Sequence, residues 1–123
     1  ALDEFQTKTN RGVVLIIEAC KSGSFIKTLE GDDRVIITSS KYNEYSSIIP
    51  STGLSYTKFL AQRLLAGNDI KDAFSNAKAD LKNAGGVFAK QHPQFYPQNS
   101  NLELLTLKLG GDFAFADMEL LSI

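Results

Sequence analysis

Two short runs of aliphatic and β-branched residues constrain this chain more than anything else in it: Val13-Val-Leu-Ile-Ile17, and Arg34-Val-Ile-Ile-Thr38. Neither alternates with polar residues. A strand wetted on one face would alternate, so both read as strands buried on two faces. Residues 18–33 between them suffice for a compact crossover, which makes the two strands parallel. Within that crossover Ser22-Gly23-Ser24 turns the chain, Ser24 to Leu29 forms a short helix, and Gly31-Asp32-Asp33 turns into the second strand.

The cover for such a sheet is visible further on. Ser55 can cap a helix that places Tyr56, Phe59, Leu60 and Leu64 on one face and ends near Gly67. Asn68 is expected to cap a second helix, with Ile70, Ala73, Phe74, Ala77 and Leu81 as its apolar stripe and Gly85-Gly86 as its stop. Leu2 and Phe5 read as the last apolar turn of a helix broken at Asn10-Arg11-Gly12. Two segments are polar and turn-rich: Ser39 to Gly53, and a second loop holding Gln91-His92-Pro93-Gln94 and Pro97-Gln98-Asn99. Leu102 to Leu109 alternates, with Leu105, Leu107 and Leu109 on one side, and Gly110-Gly111 followed by Phe113 and Phe115 resembles a hairpin return. The expectation is an α/β unit over 1–101, with 102–123 either an antiparallel edge strand or hairpin, or the start of a following module. Two parallel strands alone leave open edges. The chain should therefore pair with another polypeptide or use Leu102 to Phe115 to close its sheet.

Composition excludes several partners. Lys and Arg number 13 against 14 Asp and Glu, and no basic stripe is visible, so nucleic acid is not an expected partner. The longest apolar run, Val13 to Ile17, is far too short to span a bilayer. One cysteine and one histidine leave no intrachain disulfide and no structural zinc set, and no metal or cofactor is expected. Asp32-Asp33 and Asp69 with Asp72 have no neighbouring histidine and read as turn and cap residues. A flavodoxin-like ligand domain would need a Gly-rich phosphate loop after a strand, and only the short Ser22-Gly23-Ser24 comes near.

The chemistry centres on Cys20, three residues past the last β-branched residue of the first strand. Open parallel sheets bind ligands beyond the carboxyl ends of their strands. Backbone N–H groups of the turn and of the following helix are expected to point toward the cysteine, favouring a thiolate and donating to an oxyanion. The plainer reading is a buried core thiol at a strand end.

The segment Val14-Leu-Ile-Ile-Glu-Ala-Cys-Lys-Ser-Gly-Ser-Phe25 resembles the nucleophile motif of the legumain-like cysteine peptidases, within the wider caspase, gingipain and metacaspase fold. That pattern is a hydrophobic strand, Asp or Glu, Ala, Cys, any residue, then Ser-Gly-Ser. Val35-Ile-Ile-Thr-Ser-Ser40, followed by Glu44 and Ser46, is similar to the next strand of these enzymes, and Tyr56 through Ala79 is similar to the helices of bacterial members. The resemblance implies that Cys20 is the nucleophile and an oxyanion donor, Gly23 the turn residue, and Glu18 part of the S1 pocket. It implies that Ser39, Ser40, Glu44 and Ser46 wall the substrate cleft, with Tyr42 and Tyr45 beside them. The base in these enzymes is a histidine on an earlier strand. His92 lies downstream in a Gln-His-Pro setting, does not match it, and reads as a surface loop residue.

The implied fold is the carboxyl-terminal portion of a caspase-like three-layer α/β/α sandwich with a mostly parallel sheet. The implied function is a cysteine endopeptidase acting on a polypeptide, its histidine supplied by the upstream half of the domain or by a companion subunit. The rival is a non-catalytic protein-interaction module on the same fold. Bacterial members are often exported, but one unpaired cysteine fits either compartment.

Overall fold

In the computed structural model, residues 1–98, 102–109 and 118–122 are described. The two β-branched runs form β1 (Val13–Glu18) and β2 (Arg34–Thr38), paired in parallel with Val13 opposite Arg34 and Ile17 opposite Thr38. β3 (Gln94–Tyr96) joins β2 antiparallel, and β4 (Met118–Ser122) joins β1 in parallel. The order across this small mixed sheet is β3-β2-β1-β4. β1 is therefore an interior strand, and Cys20 lies just beyond its carboxyl end.

The missing alternation has a direct cause: both faces of β1 and β2 are covered. Val14, Ile16, Val35 and Ile37 meet α3 (Tyr56–Leu65) and α4 (Ile70–Ala84), where Tyr56, Leu60, Leu64, Ile70, Ala73, Ala77 and Leu81 are buried. Leu15, Ile17 and Ile36 point the other way, against Phe25, Ile26 and Leu29 of α2 (Ser24–Leu29), Leu2 of α1 (Leu2–Thr9), and Tyr96. α1 buries no residue fully and is held by polar contacts instead. The buried Arg34 guanidinium donates to Gln6 Oε1 at 2.6 Å and to the Leu29 carbonyl at 2.8 Å, and pairs with Asp3. Gln6 in turn donates to the Asp33 carbonyl at 2.9 Å.

Ser55 caps α3 as expected, its hydroxyl accepting from the Lys58 N–H at 3.3 Å. The cap of α4 is Asp69, not Asn68: Asp69 Oδ1 accepts from the Asp72 N–H at 2.8 Å, while Asn68 accepts from the Asn76 amide at 2.6 Å. An ionised carboxylate is the stronger acceptor at a helix start. Arg63 and Asp80 join the two helices through a forked pair at 2.7 and 2.6 Å.

The carboxyl-terminal third departs most from expectation. Leu102 to Leu109 is not a regular strand; Glu103–Thr106 is a 3-10 turn. Its leucines serve as cover, with Leu105 buried and Leu102, Leu104, Leu107 and Leu109 packed on the α3/α4 cluster. The Leu107 carbonyl also accepts from the Ile70 N–H at 3.1 Å, satisfying one of the free donors at the start of α4. The strand that does close this side, β4, runs parallel to β1 rather than antiparallel. Gly110, Gly111, Phe113 and Phe115 lie outside the described residues. The second polar loop contains β3, which the flanking Pro93 and Pro97 obscure in the sequence. Proline is compatible with an edge strand and not with a central one.

The buried faces give a contrast to measure. Ile37→Ala is expected to lower unfolding free energy by about 2–5 kcal/mol, whereas Leu65→Ala on the exposed side of α3 should change it by no more than about 0.5 kcal/mol. Urea denaturation of the two variants checks this.

Candidate active site

β1 alternates between the two cores, so Glu18 falls on the α3 side and Ala19 on the α2 side. The chain then leaves the sheet at Cys20, which is exposed; it is not the buried core thiol of the plainer reading. Lys21 follows with φ 58°, a left-handed conformation uncommon for a side-chain-bearing residue. Its N–H donates to the Glu44 carbonyl at 2.7 Å. Cys20 Sγ donates to the Ser46 carbonyl at 3.8 Å.

Four serines converge beneath the cysteine. The Ala19 carbonyl accepts from Ser46 Oγ at 2.9 Å and Ser40 Oγ at 3.1 Å, and the Ala19 N–H donates to Ser39 Oγ at 3.2 Å. Ser22 Oγ sits 3.3 Å from Ser39 Oγ and 3.2 Å from Ser40 Oγ, and accepts from the Ser40 N–H at 3.1 Å. Ser39 and Ser46 hydroxyls also bond each other. Ser22, Ser39 and Ser40 are buried, so their hydroxyls are spent inside the protein; Ser46 is only partly covered. By sequence Ser22 reads as a turn residue alone. Its position in the Ser-Gly-Ser turn facing Ser39-Ser40 was the available signal.

Gly23 is required by space rather than by a special dihedral. Its φ of -57° and ψ of -22° suit any residue. A Cβ there would lie 2.7 Å from the Tyr42 nitrogen and 2.8 Å from both the Lys41 carbonyl carbon and the Ser40 oxygen. The turn amides are less available than expected. Lys21, Ser22 and Ser24 N–H groups donate to Glu44, Ala19 and Lys21 carbonyls.

Glu18 is buried. Its Oε1 accepts from the Thr57 N–H at 3.2 Å, in the first turn of α3. Among the described residues, Glu18 Oε2 and Thr57 Oγ1 are buried side-chain atoms without a hydrogen-bond partner. Both residues line an open pocket of about 440 Å³ bounded also by Ile48, Thr52, Gly53, Ser55, Lys58 and Ala61. Burial, and then the Glu18 charge, push the Tyr56 phenol well above its usual range, and its hydroxyl donates to the Phe74 carbonyl at 3.3 Å.

Glu44 is a junction rather than a free cleft residue. Its Oε1 accepts from the Lys41 N–H at 3.0 Å and from the His92 N–H, and its Oε2 lies 3.0 Å from His92 Nδ1. His92 is thus a half-exposed loop residue with a defined partner. Burial alone would raise the Glu44 pKa, but the His92 side chain and the Lys41 and His92 N–H groups outweigh it and hold the carboxyl below its ordinary value. Tyr42 and Tyr45 are exposed.

Gly23→Ala has no room without separating two backbones. It should cost about 1–3 kcal/mol, read as a drop in thermal midpoint with chemical-shift changes at 20–24 and 39–46. Because Glu44 has a depressed pKa, its carboxylate contributes stability above the ordinary Glu value and loses it as pH falls through the folded value. The stability difference between the parent and Glu44→Gln should therefore be full near neutrality and shrink on acidification below pH 4.5, measured by denaturation across pH. A difference that grows on acidification would refute this.

No curated protein and no solved structure matches the chain. A family model described as the Peptidase C13 family matches residues 1–84, a span that includes Glu18, Cys20, the Ser-Gly-Ser turn and the loop to Gly53. The chain belongs to the Peptidase C13 family, the legumain-like cysteine peptidases.

Proposed function

We propose that this chain carries the nucleophile and part of the S1 pocket of a cysteine endopeptidase, with its base histidine contributed from outside these 123 residues. The observation that carries the reading is the pairing of an exposed thiol on a pinned turn with a buried, half-satisfied carboxylate two residues earlier on an interior strand. Helices against both faces of the sheet support a larger caspase-like three-layer sandwich, of which residues 1–101 are the carboxyl-terminal part.

In this reading the Cys20 thiolate attacks the scissile carbonyl carbon, forming an S–C bond. The histidine takes the thiol proton and returns it to the departing amine as the C–N bond breaks. Water then cleaves the thioester, releasing the carboxyl product and restoring the thiol. The Cys20 N–H donates to the oxyanion, together with an N–H beside the histidine. Ser22, Ser39 and Ser40, being buried, fix the turn; Ser46 and Glu18 are the members of the expected set positioned to meet substrate. Glu44 acts on the loop rather than on the peptide.

A P1 side chain entering beside Glu18 would meet its carboxylate. A buried carboxylate with one oxygen unpartnered favours a basic or amide side chain, whose N–H groups can satisfy it. No helix among the described residues is long and apolar enough to cross a membrane.

The test is covalent labelling of the protein, together with whatever segment or subunit supplies its histidine, by peptidyl chloromethyl ketones. Labelling should map to Cys20 and vanish in Cys20→Ser. Glu18→Gln should slow a reagent with Lys at P1 by about tenfold or more, equivalent to about 1.4 kcal/mol, and affect an Asn reagent less. Equal labelling of the parent and Cys20→Ser would remove the nucleophile role and leave a non-catalytic interaction module.

A further inference from the structure

Residues just past the family-matched span reach back to the cysteine loop. Gln91 is buried, and its side chain bridges both ends of that loop. Its Nε2 donates to the Ser39 carbonyl at 2.6 Å, and its Oε1 accepts from the Ser47 N–H at 3.0 Å. His92 follows at once and donates its backbone N–H to Glu44, while its Nδ1 lies 3.0 Å from the same carboxylate. Glu44 Oε1 also takes the Lys41 N–H at 3.0 Å. On its inner side, this loop makes the contacts that hold the cysteine. The Glu44 carbonyl takes the Lys21 N–H at 2.7 Å, the Ser46 carbonyl takes Cys20 Sγ at 3.8 Å, and Ser46 Oγ reaches the Ala19 carbonyl at 2.9 Å.

We propose that Gln91 and His92 are positioning residues for Cys20: they clasp the 39–47 loop from outside, and the loop fixes the turn that presents the thiol. The proposal rests on the nucleophile reading for its catalytic meaning, but the clasp itself is a structural relation that stands apart from it. The two residues divide the task. Gln91 staples the loop's two ends, a bridge that alanine would leave as a buried acceptor and donor without partners. His92 anchors the loop's middle through Glu44. Lys21 depends on that anchoring because its left-handed backbone is uncommon for a residue with a Cβ, and the surroundings must enforce it.

The experiment compares the parent with Gln91→Ala, His92→Ala and His92→Asn, each together with the segment or subunit that supplies the base histidine, by hydrogen exchange and by peptidyl chloromethyl ketone labelling. Asn at 92 retains a side-chain donor for Glu44, so it separates the bond from the ring. Gln91→Ala and His92→Ala should each speed exchange of the Lys21 amide by about tenfold or more, while the amides of Val14 to Ile17 stay slow. Both should slow Cys20 labelling by about tenfold or more, because a misplaced nucleophile loses rate steeply. His92→Asn should return both readouts to within about threefold of the parent. If Gln91→Ala fails to fold, the His92 pair decides the question from a half-exposed site. Unchanged Lys21 exchange in His92→Ala, or acceleration spread evenly over the whole sheet, would overturn the clasp. A parent that exchanges as expected but never labels would sink the peptidase reading and leave the clasp standing.

Discussion

The site depends on how the backbone N–H and carbonyl of one residue are satisfied where β1 leaves the sheet. Ala19 is buried, and past Glu18 a strand partner no longer supplies its hydrogen bonds as a matter of course. A buried carbonyl or N–H left open costs on the order of 1–3 kcal/mol. Here the Ala19 carbonyl accepts from the Ser40 and Ser46 hydroxyls and from the Ser22 N–H, and Ser39 Oγ takes the Ala19 N–H. Those serines belong to the segment after β2. The parallel pairing of β1 with β2 therefore does more than build a core: it delivers the loop that stabilises the neighbouring strand's exit. Gly23 completes the arrangement, since only a residue without Cβ lets the two backbones approach this closely.

What the sequence disclosed follows from range. The β-branched runs, the Ser55 cap, the stripe from Ile70 to Leu81 and the Gly85 stop are local signals, and each element formed where its signal lies. The Cys20 motif is local too, which is why family membership was legible from it. The alternation from Leu102 to Leu109 misled because a period of two describes leucines that cover a helix pair as well as leucines in a strand. β3 was hidden because its three residues, between prolines, pair only through a long-range contact with β2. Gln91 and His92 carry no motif at all. Their partners lie 44 to 52 positions away, and nothing in a Gln-His-Pro tripeptide announces them.

The serine-rich loop gives chemically similar residues different surroundings. Ser39, Ser40, Glu44 and Ser46 look alike as polar loop residues. Folding sorts them by depth: Ser39 and Ser40 are sealed beneath the turn, Glu44 is engaged by Lys41 and His92, and Ser46 stays partly open beside the thiol. A polar side chain in a loop is evidence of hydrogen bonding, and only burial tells whether the partner is protein or ligand.

Glu18 joins these two kinds of role in one side chain. The strand's period of two puts it on the α3 side, and a one-residue slip would send it to the opposite core. From there Oε1 receives the Thr57 N–H, so the carboxylate supplements Ser55 at a helix start, where negative charge is favoured. That contact explains how a carboxylate tolerates such burial. It does not explain Oε2, which has no partner among the described residues. A helix-capping task alone would be met by a neutral acceptor with less desolvation. In the proposed reading, a donor on the P1 side chain would meet this second oxygen.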